Sequence, residues 1–172
     1  NNGGNLLVRG VIENKTKGDI TISQENSGKM QIISDILEND GKISISNINS
    51  GYRDTMGDED DSNDRYYGIQ LNPQVDIVNN KGDIQIWNEG TYDIYQYANV
   101  TAYNGSVSII NTDGAIYSLG DVIANEGPIT MANNQRELLI DSFIGTAKGD
   151  IQIFNSLGNL SLDEKAVIAN LS

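Results

Sequence analysis

The sequence contains no cysteine and no histidine. Disulfides are therefore excluded, and so are a Ser-His triad, a thiol nucleophile and any histidine metal site. No run of apolar residues is long enough to read as a membrane-spanning helix. Basic residues are scarce: 11 Lys and Arg stand against 24 Asp and Glu, a formal net charge of -13. Such a surface repels nucleic acid and anionic lipid and favours cations and basic partners. Only 38% of the chain is hydrophobic, and no stretch carries a sustained helical period. No signal peptide is visible and the first residue is Asn1 rather than Met, which reads as a segment of a longer protein.

What the chain has in quantity is one phrase. Its clearest copy is Gly149-Asp150-Ile151-Gln152-Ile153-Phe154-Asn155, and related copies open at Gly18, Gly41, Gly82, Gly105 and Gly127. The six glycines are spaced 23, 41, 23, 22 and 22 residues apart. A fixed short period of this kind is the mark of a solenoid. Within each phrase apolar and polar residues alternate, which predicts a strand with one buried face. The inward pairs are Ile20/Ile22, Ile43/Ile45, Ile84/Ile86, Val107/Ile109, Ile129/Met131 and Ile151/Ile153. Glycine at the head of each phrase suits a corner that needs positive φ.

A period of 22–23 residues is too short for a βαβ unit. It accommodates three short strands and three turns. A second strand follows at segments such as Lys29–Ile32, Gly114–Tyr117 and Gly158–Leu162, and a third at Asp35–Asn39, Asp76–Asn79, Asp121–Asn125 and Ala166–Asn170. Strands always traversed in one sense predict an all-β, right-handed parallel β-helix of six to seven rungs. Residues 1–172 then form a single β-helix segment, with a protruding loop inserted at about 51–67, where the isoleucine alternation stops. The chain ends as the next glycine phrase falls due, so flanking rungs of a parent chain are expected.

Two side-chain columns follow from stacking. Gln24, Asn47, Asn88, Asn111, Asn133 and Asn155 share one inward position, six residues after each glycine. They read as an amide ladder along a corner, or as residues chosen because asparagine tolerates left-handed turns. Around the first three glycines, Lys17-Gly18-Asp19, Asp40-Gly41-Lys42 and Lys81-Gly82-Asp83 place opposite charges above one another.

The Gly-Asp-Ile-x-Ile-x-Asn phrases at this period resemble the repeat region of filamentous-haemagglutinin-like adhesins, exported by the two-partner secretion pathway of Gram-negative bacteria. The resemblance covers nearly the whole chain apart from the loop. The N-terminal secretion domain of that family is not recognisable here, which implies an internal repeat segment. The resemblance implies a secreted rod on the bacterial cell surface that mediates attachment to host cells, other bacteria or matrix. Its partners would be a host receptor, a glycan or another surface protein, with neither nucleic acid nor membrane insertion involved.

Three groups of residues are candidate sites. Asp58, Asp60, Ser62 and Asp64 alternate as oxygen donors do in calcium loops, although Asn63 and Ile69 stand where an EF-hand needs glycine and glutamate. Ca²⁺ is the one cofactor this suggests, against a plain solvated acidic loop. Trp87, Ile110, Ala132 and Phe154 lie five positions after consecutive glycines and should form an outward apolar strip. That strip is covered by the chain's own loop, with Tyr52, Tyr66 and Tyr67, or meets a protein or glycan partner, or has no role. Tyr92, Tyr95, Tyr97 and Tyr103, beside Asp93, offer either an aromatic platform for a sugar or side packing against the loop. No residue set spells out catalysis. The sequence reads as a non-enzymatic rod, with a polysaccharide-acting β-helix hydrolase or lyase and a self-assembling filament subunit as alternatives.

Overall fold

The computed structural model describes residues 4–25, 28–50 and 67–171. The described chain is all-β, a parallel β-solenoid of about six turns with three strands per rung. Strands β1 (Leu6–Val8) and β2 (Ile12–Lys17) precede the first glycine phrase. The first coil is β3 (Ile20–Glu25), β4 (Met30–Ile32) and β5 (Ile36–Asp40), and the second is β6 (Ile43–Ser50), β7 (Tyr67–Leu71) and β8 (Asp76–Asn79). The third is β9 (Ile84–Gly90), β10 (Asp93–Gln96) and β11 (Asn99–Ala102), and the fourth is β12 (Val107–Asn111), β13 (Ile116–Ser118) and β14 (Val122–Ala124). The fifth is β15 (Ile129–Asn133), β16 (Leu138–Ile140) and β17 (Phe143–Thr146), and the sixth is β18 (Ile151–Asn155), β19 (Leu160–Leu162) and β20 (Val167–Asn170).

Each strand pairs with its equivalents one coil away, giving three parallel sheets. The glycine-phrase strands form a six-stranded first sheet, β3-β6-β9-β12-β15-β18. The second sheet runs β1-β4-β7-β10-β13-β16-β19 and the third β2-β5-β8-β11-β14-β17-β20, with seven strands each. Register follows the phrase: Ile43 pairs with Ile84, Ile84 with Val107, Val107 with Ile129 and Ile129 with Ile151. Gly41 and Gly82 thus open adjacent coils, and the long 41-residue interval is one coil plus an insertion. The second strand of that coil begins at Tyr67, slightly before the expected resumption at Ile69, and Tyr67 pairs with Asp93 across a register irregularity.

The core is the inward column of each sheet, and its isoleucines, leucines and valines in the middle coils are fully buried. Burying each such side chain is worth about 1.5–3 kcal/mol. β-Branched residues fit because a pleated sheet accommodates their stiff χ1. The last coil is different. Leu160 (48% exposed), Leu162 (57%) and Ile168 (43%) occupy inward positions, and no described strand is stacked beyond them.

The corner glycines need correcting as to cause. Among those that head the phrases, only Gly18 has a positive φ (148°). The requirement is close approach. A Cβ built on Gly41, Gly82, Gly105, Gly127 or Gly149 would lie 1.8–2.4 Å from the carbonyl oxygen of the corner glycine one coil before. Five contacts in line make an unbroken glycine column along the corner between the third and first sheets.

The flanking charges also depart from simple pairing. Lys17 Nζ lies 3.9 Å from Asp40 Oδ2, as stacking implies. Lys42 instead donates its side chain to Gln85 Oε1 at 2.6 Å, while its backbone N–H donates to Asp19 Oδ1 at 2.8 Å. Carboxylates repeat that second role around the solenoid. Asp35 accepts the amide of Asp76, Asp83 that of Ser106, Asp93 that of Ala115 and Asp121 that of Phe143, at 2.8–3.1 Å. Aspartate just before a strand clamps the next coil, so part of the acidic excess is structural.

Candidate functional site

The amide column lies on the corner between the first and second sheets. Gln24, Asn47, Asn88, Asn111 and Asn133 are fully buried, and Asn155 in the last coil is partly exposed. Alternation directs them inward with the isoleucines, and each then faces a turn whose carbonyls need donors. Asn111 Nδ2 donates to Ala115 O in its own turn (2.8 Å) and to Tyr92 O one coil back (3.0 Å). Asn155 repeats this with Asn159 O and Arg136 O, and Asn47 with Gly68 O and Gly28 O. Asn88 Nδ2 also donates directly to Asn111 Oδ1 at 3.0 Å. The ladder therefore runs mostly through turn backbone. It ties successive turns together.

On the outer face of the first sheet, Trp87, Ile110, Ala132 and Phe154 pair consecutively in register. They form one apolar strip over four coils. Trp87 and Ile110 are half-buried, Ala132 is covered (6% exposed), and Phe154 is half exposed. Ser46 precedes Trp87 in the column, so the strip begins in the third coil.

The second sheet divides the tyrosine group. Tyr103 lies after β11 at a different corner and is 46% exposed. Tyr92 is half-buried, and its carbonyl serves the amide column. Tyr95 and Tyr97 lie together, centroids 6.2 Å apart, and Tyr95 stacks on Tyr117 of the next coil at 4.6 Å and 15°. Tyr117 is the member that reading one coil at a time misses. It stands one period, 22 residues, after Tyr95, so the spacing alone could have found it. One face of each ring is occupied by the other, and Tyr97 lies against Tyr95 as well.

Charges gather beside these rings. Burial pushes the Asp93 carboxyl above its ordinary range, against the opposing pull of the Ala115 amide, Arg136 and the Tyr95 hydroxyl. Burial also raises the Tyr117 phenol, with the negative charges of Asp93 and Glu137 adding to it; a hydrogen bond with Tyr95 and the charge of Arg136 oppose the rise. Asp93, Glu137 and Arg136 thus rim a half-buried aromatic patch across the third to fifth coils. The Asp93 carboxyl is already engaged within the fold, accepting the Ala115 amide at 2.8 Å.

Asp58, Asp60, Ser62 and Asp64, with Tyr52 and Tyr66, lie outside the described residues. Among the described residues no group of three or more acidic side chains is placed to hold a metal ion. No described helix is long and apolar enough to cross a membrane. Comparison with protein-family models, with curated proteins and with solved structures found no match.

Proposed function

We propose that the chain is a structural and adhesive segment of a secreted bacterial surface protein, a rod of the kind the haemagglutinin-like repeats resemble. Each coil is tied to the next along three backbone ladders, which gives the stiffness a stalk needs. The observation that carries the adhesive part is the apolar strip. Four consecutive coils present Trp87, Ile110, Ala132 and Phe154 outward in one column, and Phe154 is half exposed. A contiguous outward strip with aromatic ends is the chemistry of a protein or glycan contact. The partner would be a host receptor, a glycan or another surface protein.

The test is adhesion of the immobilised chain to host cells, bacteria and matrix. Trp87→Ala and Phe154→Ala should each weaken attachment roughly tenfold, the scale of losing an aromatic anchor. Equal attachment by both variants, at unchanged β-sheet content, would sink the reading.

A further inference from the structure

The chain has no cysteine and hence no disulfide, but its second sheet sets two phenols against each other across a coil boundary. Tyr95 and Tyr117 are register partners on parallel strands β10 and β13. Their rings are stacked with centroids 4.6 Å apart and planes 15° from parallel. Tyr95 is hydrogen-bonded to the phenol of Tyr117 and to the Asp93 carboxylate. Adjacent oxygens on near-parallel rings bring the ortho carbons, Cε of each ring, beside one another. Both rings are half-buried on paired parallel strands, which keeps them adjacent while they close the remaining distance. We propose that Tyr95 and Tyr117 are a site of oxidative cross-linking, in which a peroxide-driven one-electron oxidant joins the third and fourth coils through a dityrosine bond.

The chemistry balances with the oxidant named. Each phenol loses one electron and its hydroxyl proton, and Asp93 is placed to receive the proton of Tyr95. The two electrons and two protons reduce one hydrogen peroxide to two waters. The two phenoxyl radicals carry spin at Cε and couple to form one Cε–Cε bond. Each Cε then passes its hydrogen to its own oxygen, restoring two aromatic phenols. The net loss is two hydrogen atoms, and the product adds a side-chain bridge between two coils otherwise joined covalently only along the backbone.

The experiment treats the full chain with a peroxidase and hydrogen peroxide. The expected product is a monomer lighter by two hydrogen atoms, with dityrosine fluorescence and a yield independent of protein concentration. Cleavage before aspartate separates the two residues, since Asp93, Asp113 and Asp121 bound peptides 93–112 and 113–120. Fragmentation of the joined peptides should place the bond at Tyr95 and Tyr117 and not at Tyr97 or Tyr103. Tyr95→Phe and Tyr117→Phe keep the rings and the fold, checked by circular dichroism, and each should abolish the monomeric product. Tyr103→Phe should leave the yield unchanged. Undiminished product in Tyr117→Phe, a bond mapped to Tyr97 or Tyr103, product found only as covalent dimers, or no reaction would overturn the proposal.

Discussion

Two corners of the solenoid keep different residues constant from coil to coil. Between the third and first sheets the glycine column is unbroken, from Gly18 to Gly149, and each glycine nearly touches the one before. The inward side chains there drift freely: Asn14, Glu38, Asn79, Ala102, Ala124, Thr146 and Asn170. Between the first and second sheets the reverse holds. Tyr92 and Arg136 interrupt the glycines, so Gly114 and Gly158 rest on backbone of non-glycine residues. There the inward column keeps an amide at every level. Backbone approach is equally tight at both corners, and side chains serve turn carbonyls at both; what differs is which column keeps one residue type, glycine at the first corner and an amide at the second.

Substituting the glycine column should have the largest effect. In Gly105→Ala the new Cβ would sit 2.0 Å from Gly82 O, a clash with backbone that no rotamer relieves. We expect a loss of about 3 kcal/mol, read from urea unfolding. A loss below that of a surface substitution would mean the corner can open, and the close-approach account would fail.

The amide corner comes next. Asn111→Ala removes donors to Ala115 O and Tyr92 O, the acceptor of Gly114 N–H, and the bond from Asn88. About 2 kcal/mol is expected. Thr146→Ala at the other corner removes donation to Gly127 O and acceptance from Gly149 N–H, with about 1 kcal/mol expected. Equal costs at the two positions would erase the distinction between the corners.

These columns also show what could be read from the sequence. The coil length, the three strands, the inward isoleucines and the amide position all repeat in type, so spacing alone exposes them. The role of glycine was harder to read, because close approach and positive φ select the same residue. Columns of mixed chemistry leave no repeating letter. Gln96, Ser118 and Ser142 form a buried polar network, with Ser118 donating to Gln96 Oε1 at 2.7 Å, yet no phrase announces it. Tyr95 over Tyr117 is different in kind, since one letter repeats there at a single period of 22 residues. Such pairs become visible once the register is known and residues are read down a column instead of along the chain. Of the candidate sites, the apolar strip was legible because position five is apolar in four coils running. The Asp93, Glu137 and Arg136 rim was not, because three residue types share it.

A smaller effect of opposite sign is expected where the drifting corner fits least well. Glu38 is 2% exposed, and its Oε1 accepts the amides of Asn39 and Asp40 at 2.9 and 3.0 Å. Its Oε2 is buried without a hydrogen-bond partner. One coil later, Asn79 Nδ2 donates to Gly41 O from the equivalent position. Glu38→Gln keeps the bonds at Oε1 and supplies an N–H in place of the orphaned oxygen. A gain of about 1 kcal/mol is expected. A loss of similar size would show that the carboxylate is needed at that corner.

The smallest expected effect is at the amide corner and depends on pH. Asp93 holds the Ala115 amide, but burial raises its carboxyl above the ordinary value of 3.8. The folded chain then binds that proton more tightly than the unfolded chain does. Stability should therefore rise as pH falls through the raised folded value, and the gain is complete below the unfolded value. At neutral pH the ionised carboxylate is a standing cost, which the Ala115 amide, Arg136 and the Tyr95 hydroxyl offset only in part. Asp93→Asn keeps an oxygen for the Ala115 amide and removes the charge. Its melting temperature should match or exceed the parent's at pH 7, and the difference should shrink as the solution is acidified and vanish below the ordinary carboxyl range. The subtraction cancels the other carboxylates, which titrate in both proteins. If the parent instead loses stability relative to Asp93→Asn across that window, hydrogen bonding and Arg136 outweigh burial at this corner.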